Sequence, residues 1–219
     1  MIGKRFILSA VGLASLLMPL AAQAVEPVFS GGAKLWYAEP KLTDRAFMYG
    51  VTGMGEWGDD FWVSAHYLRG EFDFVERVRP QRVKRVALQE GEVLAGRSVD
   101  IFRVGLGVRW LSVPKEEDNP ESERKRLRRP EAYGPVLHGV ASQSFEEWPW
   151  GFTGTGWGWY AGGSVMAYDF SDHDGEHFVV MAGLSHYAHH LHKTIGYRFL
   201  KYFDHDQMEG FTAALRFEF

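Results

Sequence analysis

The sequence contains no cysteine, which excludes a disulfide framework and a thiolate metal site. It also lacks a charge excess of one sign. Lys and Arg number 24 against 28 Asp and Glu, for a net charge of -4, so there is no electrostatic footprint for nucleic acid. Beyond the first 24 residues no apolar run approaches 18 residues, which leaves no candidate membrane helix there. The mean hydropathy of -0.23 agrees. Helical periodicity is weak. No Ser-His-acid spacing, phosphate-cradling glycine loop or nucleotide motif stands out, and the glycine-rich run 154–163 falls within a strand pattern. Two residue classes are plentiful. Aromatics make up 15% of the chain and glycine 25 of its 219 residues, against a usual glycine share of about 7%. The length suits one sizeable domain.

The N-terminus has the form of a secretory signal. Lys4 and Arg5 precede a 17-residue stretch without charge, Phe6 to Ala22, and Ala22-Gln23-Ala24 is a small-x-small cleavage pattern. Cleavage after Ala24 leaves 195 residues from Val25 and moves the net charge from -4 to -6. No cysteine follows the cleavage point to carry a lipid anchor. Residues 1–24 are therefore set aside as a targeting segment, and 25–219 are taken as one domain.

That domain has a period of two. In the stretch 102–110, Phe102, Val104, Leu106, Val108 and Trp110 alternate with Arg103, Gly105, Gly107 and Arg109. A soluble sandwich strand turns such an apolar face inward, whereas a membrane barrel turns it toward lipid and the polar face toward its lumen. The last nine residues, Phe211 to Phe219, place apolar side chains at every odd position and finish on an aromatic. This resembles the terminal strand of bacterial outer-membrane β-barrels, and the resemblance implies that Leu215, Phe217 and Phe219 form the signal read by the barrel-assembly machinery.

Alternation bounded by turn residues predicts ten strands: 29–39, 46–57, 61–75, 82–96, 99–112, 133–146, 153–170, 176–188, 192–203 and 209–219. The region 82–96 alternates poorly and is rich in charge, and without it eight strands is the alternative. The expected fold is thus all-β, a closed antiparallel transmembrane barrel. Short turns at 58–60, 97–98, 147–152 and 189–191 fall at one end, and the longer loops, 113–132 the longest, fall at the other. In the third strand the apolar phase breaks near Leu68-Arg69, which suggests a bulge with Arg69, Glu71 and Asp73 turned inward beyond it. Trp36, Tyr37, Trp57, Trp62, Trp110, Trp148, Trp150, Trp157 and Trp159 lie near strand ends, where interfacial girdles place amphipathic rings.

Strand parity sends a set of polar side chains to the lumen: Lys34, Glu56, His66, Arg103, Arg109, Arg198, Arg216 and Glu218, with Ser64, Thr194 and Thr212. A barrel of this size is close to being filled by its own side chains, and buried charges must pair. The expected lumen is salt-bridged and closed rather than an aqueous pore. Two rim triplets, Asp172-His173-Asp174 and Asp204-His205-Asp206, fall in loops of the same end. Their residue types and location resemble the acidic pair and Asp-His pair of the ten-stranded omptin proteases, and Asp and His could instead bind a divalent cation; the default expectation is polar turn chemistry. A second cluster, His186, His189, His190 and His192, surrounds a predicted turn. The loop 113–132 reads as solvated and mobile, and its basic half, Arg124 to Arg129, suits phosphates of lipopolysaccharide.

Four segments, Gly32-Ala33-Lys34-Leu35-Trp36-Tyr37-Ala38-Glu39, Tyr67-Leu68-Arg69-Gly70-Glu71-Phe72-Asp73, Tyr133-Gly134-Pro135 and Gly196-Tyr197-Arg198, resemble a broad group of small Gram-negative outer-membrane β-barrel proteins without an assigned reaction. The resemblance implies the barrel fold and an outer-membrane location and supplies no reaction; the leading expectation is a non-enzymatic barrel without cofactor, a monomer with outer-membrane lipid, lipopolysaccharide and the assembly machinery as partners and no nucleic acid. Surface loops for binding or envelope structure follow as its role. A rim hydrolase or metal-binding barrel and a narrow transport channel are the alternatives.

Overall fold

The computed structural model describes residues 26–40, 46–58, 60–75, 83–112, 115–118, 125–128, 131–147, 156–170, 173–202 and 206–219. It is all-β. The strands are β1 (Val28–Pro40), β2 (Ala46–Trp57), β3 (Phe61–Val75), β4 (Val83–Val99), β5 (Phe102–Ser112), β6 (Lys115–Asp118), β7 (Lys125–Arg128), β8 (Glu131–Ser144), β9 (Trp157–Phe170), β10 (His173–Ala188), β11 (Leu191–Tyr202) and β12 (Asp206–Glu218). Ten of them close into an antiparallel barrel in the ring order β1-β12-β11-β10-β9-β8-β5-β4-β3-β2, and β6 and β7 form a separate two-stranded ribbon. Pairing of β1 with β12, Ala33 opposite Leu215 and Tyr37 opposite Phe211, completes the ring. No helix of the described residues is long and apolar enough to cross a membrane.

The expected count of ten is found, and the charged region 82–96 is a strand of 17 residues, β4. Other expectations are corrected. The register of β3 against β2 and β4 runs without interruption through residues 67–71, so there is no bulge at Leu68-Arg69. Leu68 is buried in the lumen, while Arg69 and Glu71 are half exposed on the outer face and lie 3.6 Å apart. The apolar phase changes because the environment changes along the barrel. Toward the long-loop end the interior is apolar and the outer face carries charge. Within the segment 113–132, the described residues 115–118 and 125–128 form β6 and β7. β6 pairs with β7, with Glu117 opposite Arg126 and Asp118 opposite Lys125, while Lys115 stands opposite Arg128.

The outward positions are apolar in the middle of the strands. Val51, Leu106, Leu137, Val180, Ile195 and Phe211 are each more than half exposed, because alternation points every second side chain away from the lumen. Tight hairpins close one end. His189 and His190 are the whole connection between the paired residues Ala188 and Leu191, with φ of 51° and 61°, the backbone of a type I′ turn. Asp100 (φ 55°) and Gly58 (φ 63°) turn the chain in the same left-handed region at neighbouring hairpins. β8 ends in a single 3-10 turn, Phe145–Glu147, where the Gly156 amide donates to Glu146 Oε1 at 3.0 Å.

Two of the tryptophans near strand ends, Trp36 and Trp62, lie in the lumen, 0% and 3% exposed. Both sit at inward parity, and glycines make room for Trp62. A Cβ on Gly96 or Gly105 would stand 2.8 Å or 2.7 Å from its ring. Trp57 stays at the short-turn end against Phe29 and Phe61, ring centroids 5.8 and 5.6 Å away, and Trp157 is outward and 41% exposed. Trp148 and Trp150 lie outside the described residues.

Candidate functional site

The lumen divides into three layers along the barrel axis. The long-loop half is apolar, built from Met48, Leu68, Leu88, Leu111, Met166, Leu200 and Met208, all at most 2% exposed. A charged network crosses the middle. The short-turn half is lined largely by small or half-exposed residues.

Glu90 on β4 and Arg198 on β11 make the central contact. Arg198 Nη1 donates to Glu90 Oε2 at 2.8 Å and Nη2 to Oε1 at 2.5 Å, the two-pronged geometry that suits a planar guanidinium. In the ring order β4 and β11 stand five strands apart in either direction, so this pair spans the barrel's diameter. The guanidinium also stacks over Trp36, 4.4 Å from the ring centroid. Both partners are fully buried, Glu90 at 0% and Arg198 at 3%.

A second buried pair lies beside it. Arg109 on β5 donates Nε–H to Glu92 Oε2 at 2.7 Å, and its Nη2 reaches the same carboxylate. Nη2 also donates to Ser164 Oγ on β9 at 2.5 Å, and Nη1 to His177 Nδ1 on β10 at 3.1 Å. A guanidinium only donates, so His177 Nδ1 accepts and its proton sits on Nε2. That Nε2 is buried with no hydrogen-bond partner, as is Trp36 Nε1. His66 on β3 lies between the two carboxylates, with Nε2 3.4 Å from Glu90 Oε1 and Nδ1 3.5 Å from Glu92 Oε1. Two carboxylates and two guanidiniums thus neutralise one another, and that balance lets charge persist in a dry interior.

Nearer the short turns, Arg103 Nη2 donates to Glu56 Oε1 at 2.7 Å. Arg216 Nη2 donates to His192 Nδ1 at 2.6 Å. Both guanidiniums also reach the Met54 sulfur, from 3.7 Å and 3.0 Å. Glu218, last of the lumen set, sits at the rim, where Tyr187 Oη donates to it at 2.8 Å. The structure therefore divides the eight polar residues assigned to the lumen by parity. His66, Arg109 and Arg198 join the central network, Lys34 lies within electrostatic reach of Arg198, Glu90, Glu92 and Arg109, Glu56, Arg103 and Arg216 gather near the open end, and Glu218 is peripheral.

The sequence reading missed Glu90, Glu92, His138 and His177 as lumen residues. Glu90 and Glu92 were available as an i, i+2 acidic pair, but β4 alternates apolar and small residues on both faces and so gave no phase. His177 lies in β10 at the parity of Val179 and Met181, and a histidine among apolar neighbours carries no inward signal of its own. The apolar half of the lumen was missed for the same reason, since apolar residues had been assigned outward.

The remaining candidates are placed as follows. Leu215, Phe217 and Phe219 point outward from the end of β12, at 39%, 55% and 82% exposure. Of the rim triplets, Asp172, Asp204 and His205 lie outside the described residues. His173 and Asp174 extend β10 opposite Phe170 and Asp169, and Asp206 opens β12 opposite Tyr202. Their backbones are therefore ladder, not loop. The histidine cluster disperses. The His186 ring packs on Trp157 at 4.7 Å between centroids, His192 turns to Arg216, His190 Nδ1 faces Glu218 Oε1 at 3.8 Å, and His189 is an exposed turn residue. Among the described residues no group of three or more His, Asp or Glu side chains is gathered as a metal site would require.

The sequence matches no protein-family profile and no curated protein, so the resemblance to a particular group of small barrels has no support at the level of sequence. Similar solved structures are bacterial outer-membrane β-barrels. The translocator domain of the autotransporter NalP from Neisseria meningitidis is 11% identical, with a TM-score of 0.47 over 100% of this chain and 95% of that one. Neisserial surface protein A is 11% identical, with a TM-score of 0.34 over 88% and 97%. Ail, the attachment invasion locus protein of Yersinia pestis, is 12% identical, with a TM-score of 0.33 over 88% and 97%.

Proposed function

We propose that this protein is an integral outer-membrane β-barrel without enzymatic activity, whose lumen is closed by its own side chains and whose extracellular segments serve binding or envelope structure. One observation carries the reading: an apolar outer surface encloses an interior crossed by ion pairs. Val51, Leu106, Ile195 and Phe211 are more than half exposed while Glu90, Arg109 and Arg198 are buried. In water that distribution is inverted and costly; in a bilayer it is the stable one. The ladder closes within one chain through β1 and β12, which leaves no open edge and supports a monomer.

The short-turn end faces the periplasm in this reading and the β6–β7 ribbon the exterior. There the basic strand β7, Lys125–Arg128, is suited to the phosphates of lipopolysaccharide. Leu215, Phe217 and Phe219 are the proposed recognition stripe for the barrel-assembly machinery. Fractionation of a Gram-negative host tests the location. The protein is expected in the outer membrane, as a band whose gel mobility changes on boiling. Recovery in the soluble periplasmic fraction without detergent would refute the reading. In planar bilayers the purified barrel is expected to give no stable conductance steps, and reproducible steps would refute the closed lumen.

A further inference from the structure

Near the short-turn end of the lumen, Arg216 lacks a close carboxylate partner among the described residues. Glu90 and Glu92 are engaged by Arg198 and Arg109, and Glu56 is engaged by Arg103. Arg216 has no carboxylate within ion-pair distance among the described residues; its side-chain contacts are the Met54 sulfur and His192 Nδ1. Lys34, two positions along β1 from the Gly32 that faces Arg216, has none either. The guanidiniums of Arg103 and Arg216 come to the same sulfur from β5 and β12, so two like charges converge with a single carboxylate between them.

Solvent reaches this place. Arg103 and Glu56 have side chains 37% and 36% exposed, and the inward-facing residues around them, Ser64, Gly96, Gly183, Thr194 and Ala214, are partly accessible. The Trp62 ring and the Tyr160 hydroxyl fill the room left by Gly96, Gly105, Gly183 and Gly196, so the accessible part lies beside Ser64, Thr194 and Ala214. The result is a partly accessible cup at this end of the lumen, with Arg103, Arg216 and Glu56 in its wall.

We propose that the open end of the lumen binds a small solute oxyanion, a phosphate or carboxylate group, held between Arg103 and Arg216 with Lys34 beneath. A planar guanidinium presents paired N–H donors that match the oxygens of either group. An anion between the two guanidiniums would add to the partial neutralisation that Glu56 already gives them. Glu56 competes for Arg103 and keeps the site open to exchange. The proposal concerns the cup alone and holds whether or not the long-loop segments bind anything.

Isothermal titration of the folded, detergent-solubilised barrel with inorganic phosphate, and separately with succinate, tests it and tells the two groups apart. Saturable binding of at least one is expected. Arg216→Met strands no carboxylate, so folding survives, as its boiling-dependent gel mobility will report; affinity is expected to fall by about tenfold or more, the loss of a charge-assisted hydrogen bond. Glu56→Gln removes the competitor and is expected to tighten binding several-fold. Arg69→Gln, on the outer face, is expected to leave affinity unchanged. Absence of saturable binding by the wild-type barrel, undiminished affinity in Arg216→Met, or weaker binding in Glu56→Gln would overturn the proposal. None of these results bears on where the protein resides or whether it conducts, so failure here is separable from failure of the membrane reading.

Discussion

Glu90→Gln and Arg198→Met test the central contact from its two sides, and the structure ranks them. Removing one partner of a buried pair costs about 3–5 kcal/mol, because the other charge remains in a medium that cannot solvate it. The stranded partners differ. After Arg198→Met, Glu90 still has His66 at 3.4 Å and Arg109 at 3.8 Å. After Glu90→Gln, Arg198 retains the Trp36 ring at 4.4 Å and has no other carboxylate within ion-pair distance among the described residues. Glu90→Gln should therefore be the more damaging, near the upper end of that range, and Arg198→Met near the lower. The double variant removes both charges. It should cost less than the sum, with a coupling of about 1–3 kcal/mol. Equilibrium urea unfolding in detergent micelles, followed by tryptophan fluorescence with wild type and variants sharing one slope, gives the differences. The reasoning fails if either single variant costs less than about 1 kcal/mol, if Arg198→Met is the worse of the two, or if the double variant is additive. None of the three should conduct in a planar bilayer, since the apolar layer of Met48, Leu68, Leu88, Leu111, Met166, Leu200 and Met208 stands beyond the pair and is untouched.

Three further outcomes are expected. Leu106→Arg, outward in mid-strand at 55% exposure, should cost about 2–4 kcal/mol in lipid; a cost within about 0.5 kcal/mol, as at a water-facing surface position, would contradict a bilayer around β5. Replacing His189-His190 by Asn-Gly should stabilise the barrel by about 1–2 kcal/mol in urea unfolding, because both residues hold a left-handed backbone that asparagine and glycine adopt at lower cost; unchanged or reduced stability would show that the histidines gain something in the folded turn. Gly105→Ala should cost about 1–3 kcal/mol, the range for overpacking a filled interior, and should change tryptophan emission, since the new methyl would stand 2.7 Å from Trp62; wild-type stability and emission would show that the ring moves aside freely.

Strand number, antiparallel closure and the outward face were legible because alternation is a purely local signal. It is strongest in β5 and β12, where β-branched or aromatic residues alternate with glycine and charge. Arg103, Arg109, Arg198 and Arg216 could be placed inward for the same reason. Partner choice was not legible. That Arg198 meets Glu90 across 108 positions of sequence depends on ring closure and on the small stagger between neighbouring strands, neither of which leaves a mark on either residue. Polarity also misled where it was taken as a compass. Leu68 points in and Arg69 points out because the interior of the long-loop half is apolar, and a rule that sends every charge to the lumen produces a false bulge there. The ribbon of β6 and β7 was hidden by its charge, which suggested a solvated loop when read along the chain, whereas its pairing is across the two strands.

A closed hoop of ten strands has one soft deformation, the flattening of its circle into an oval, which needs no ladder hydrogen bond to break. The contact between Glu90 and Arg198 lies along a diameter of that hoop. Flattening in one direction would stretch it and in the perpendicular direction would compress it, so a single two-pronged contact resists both. Squeezing by the surrounding lipid would then reach the interior as a load on that strut, and the barrel's cross-section should be stiffer at its height than toward the open mouth, where no ion pair joins opposite walls among the described residues.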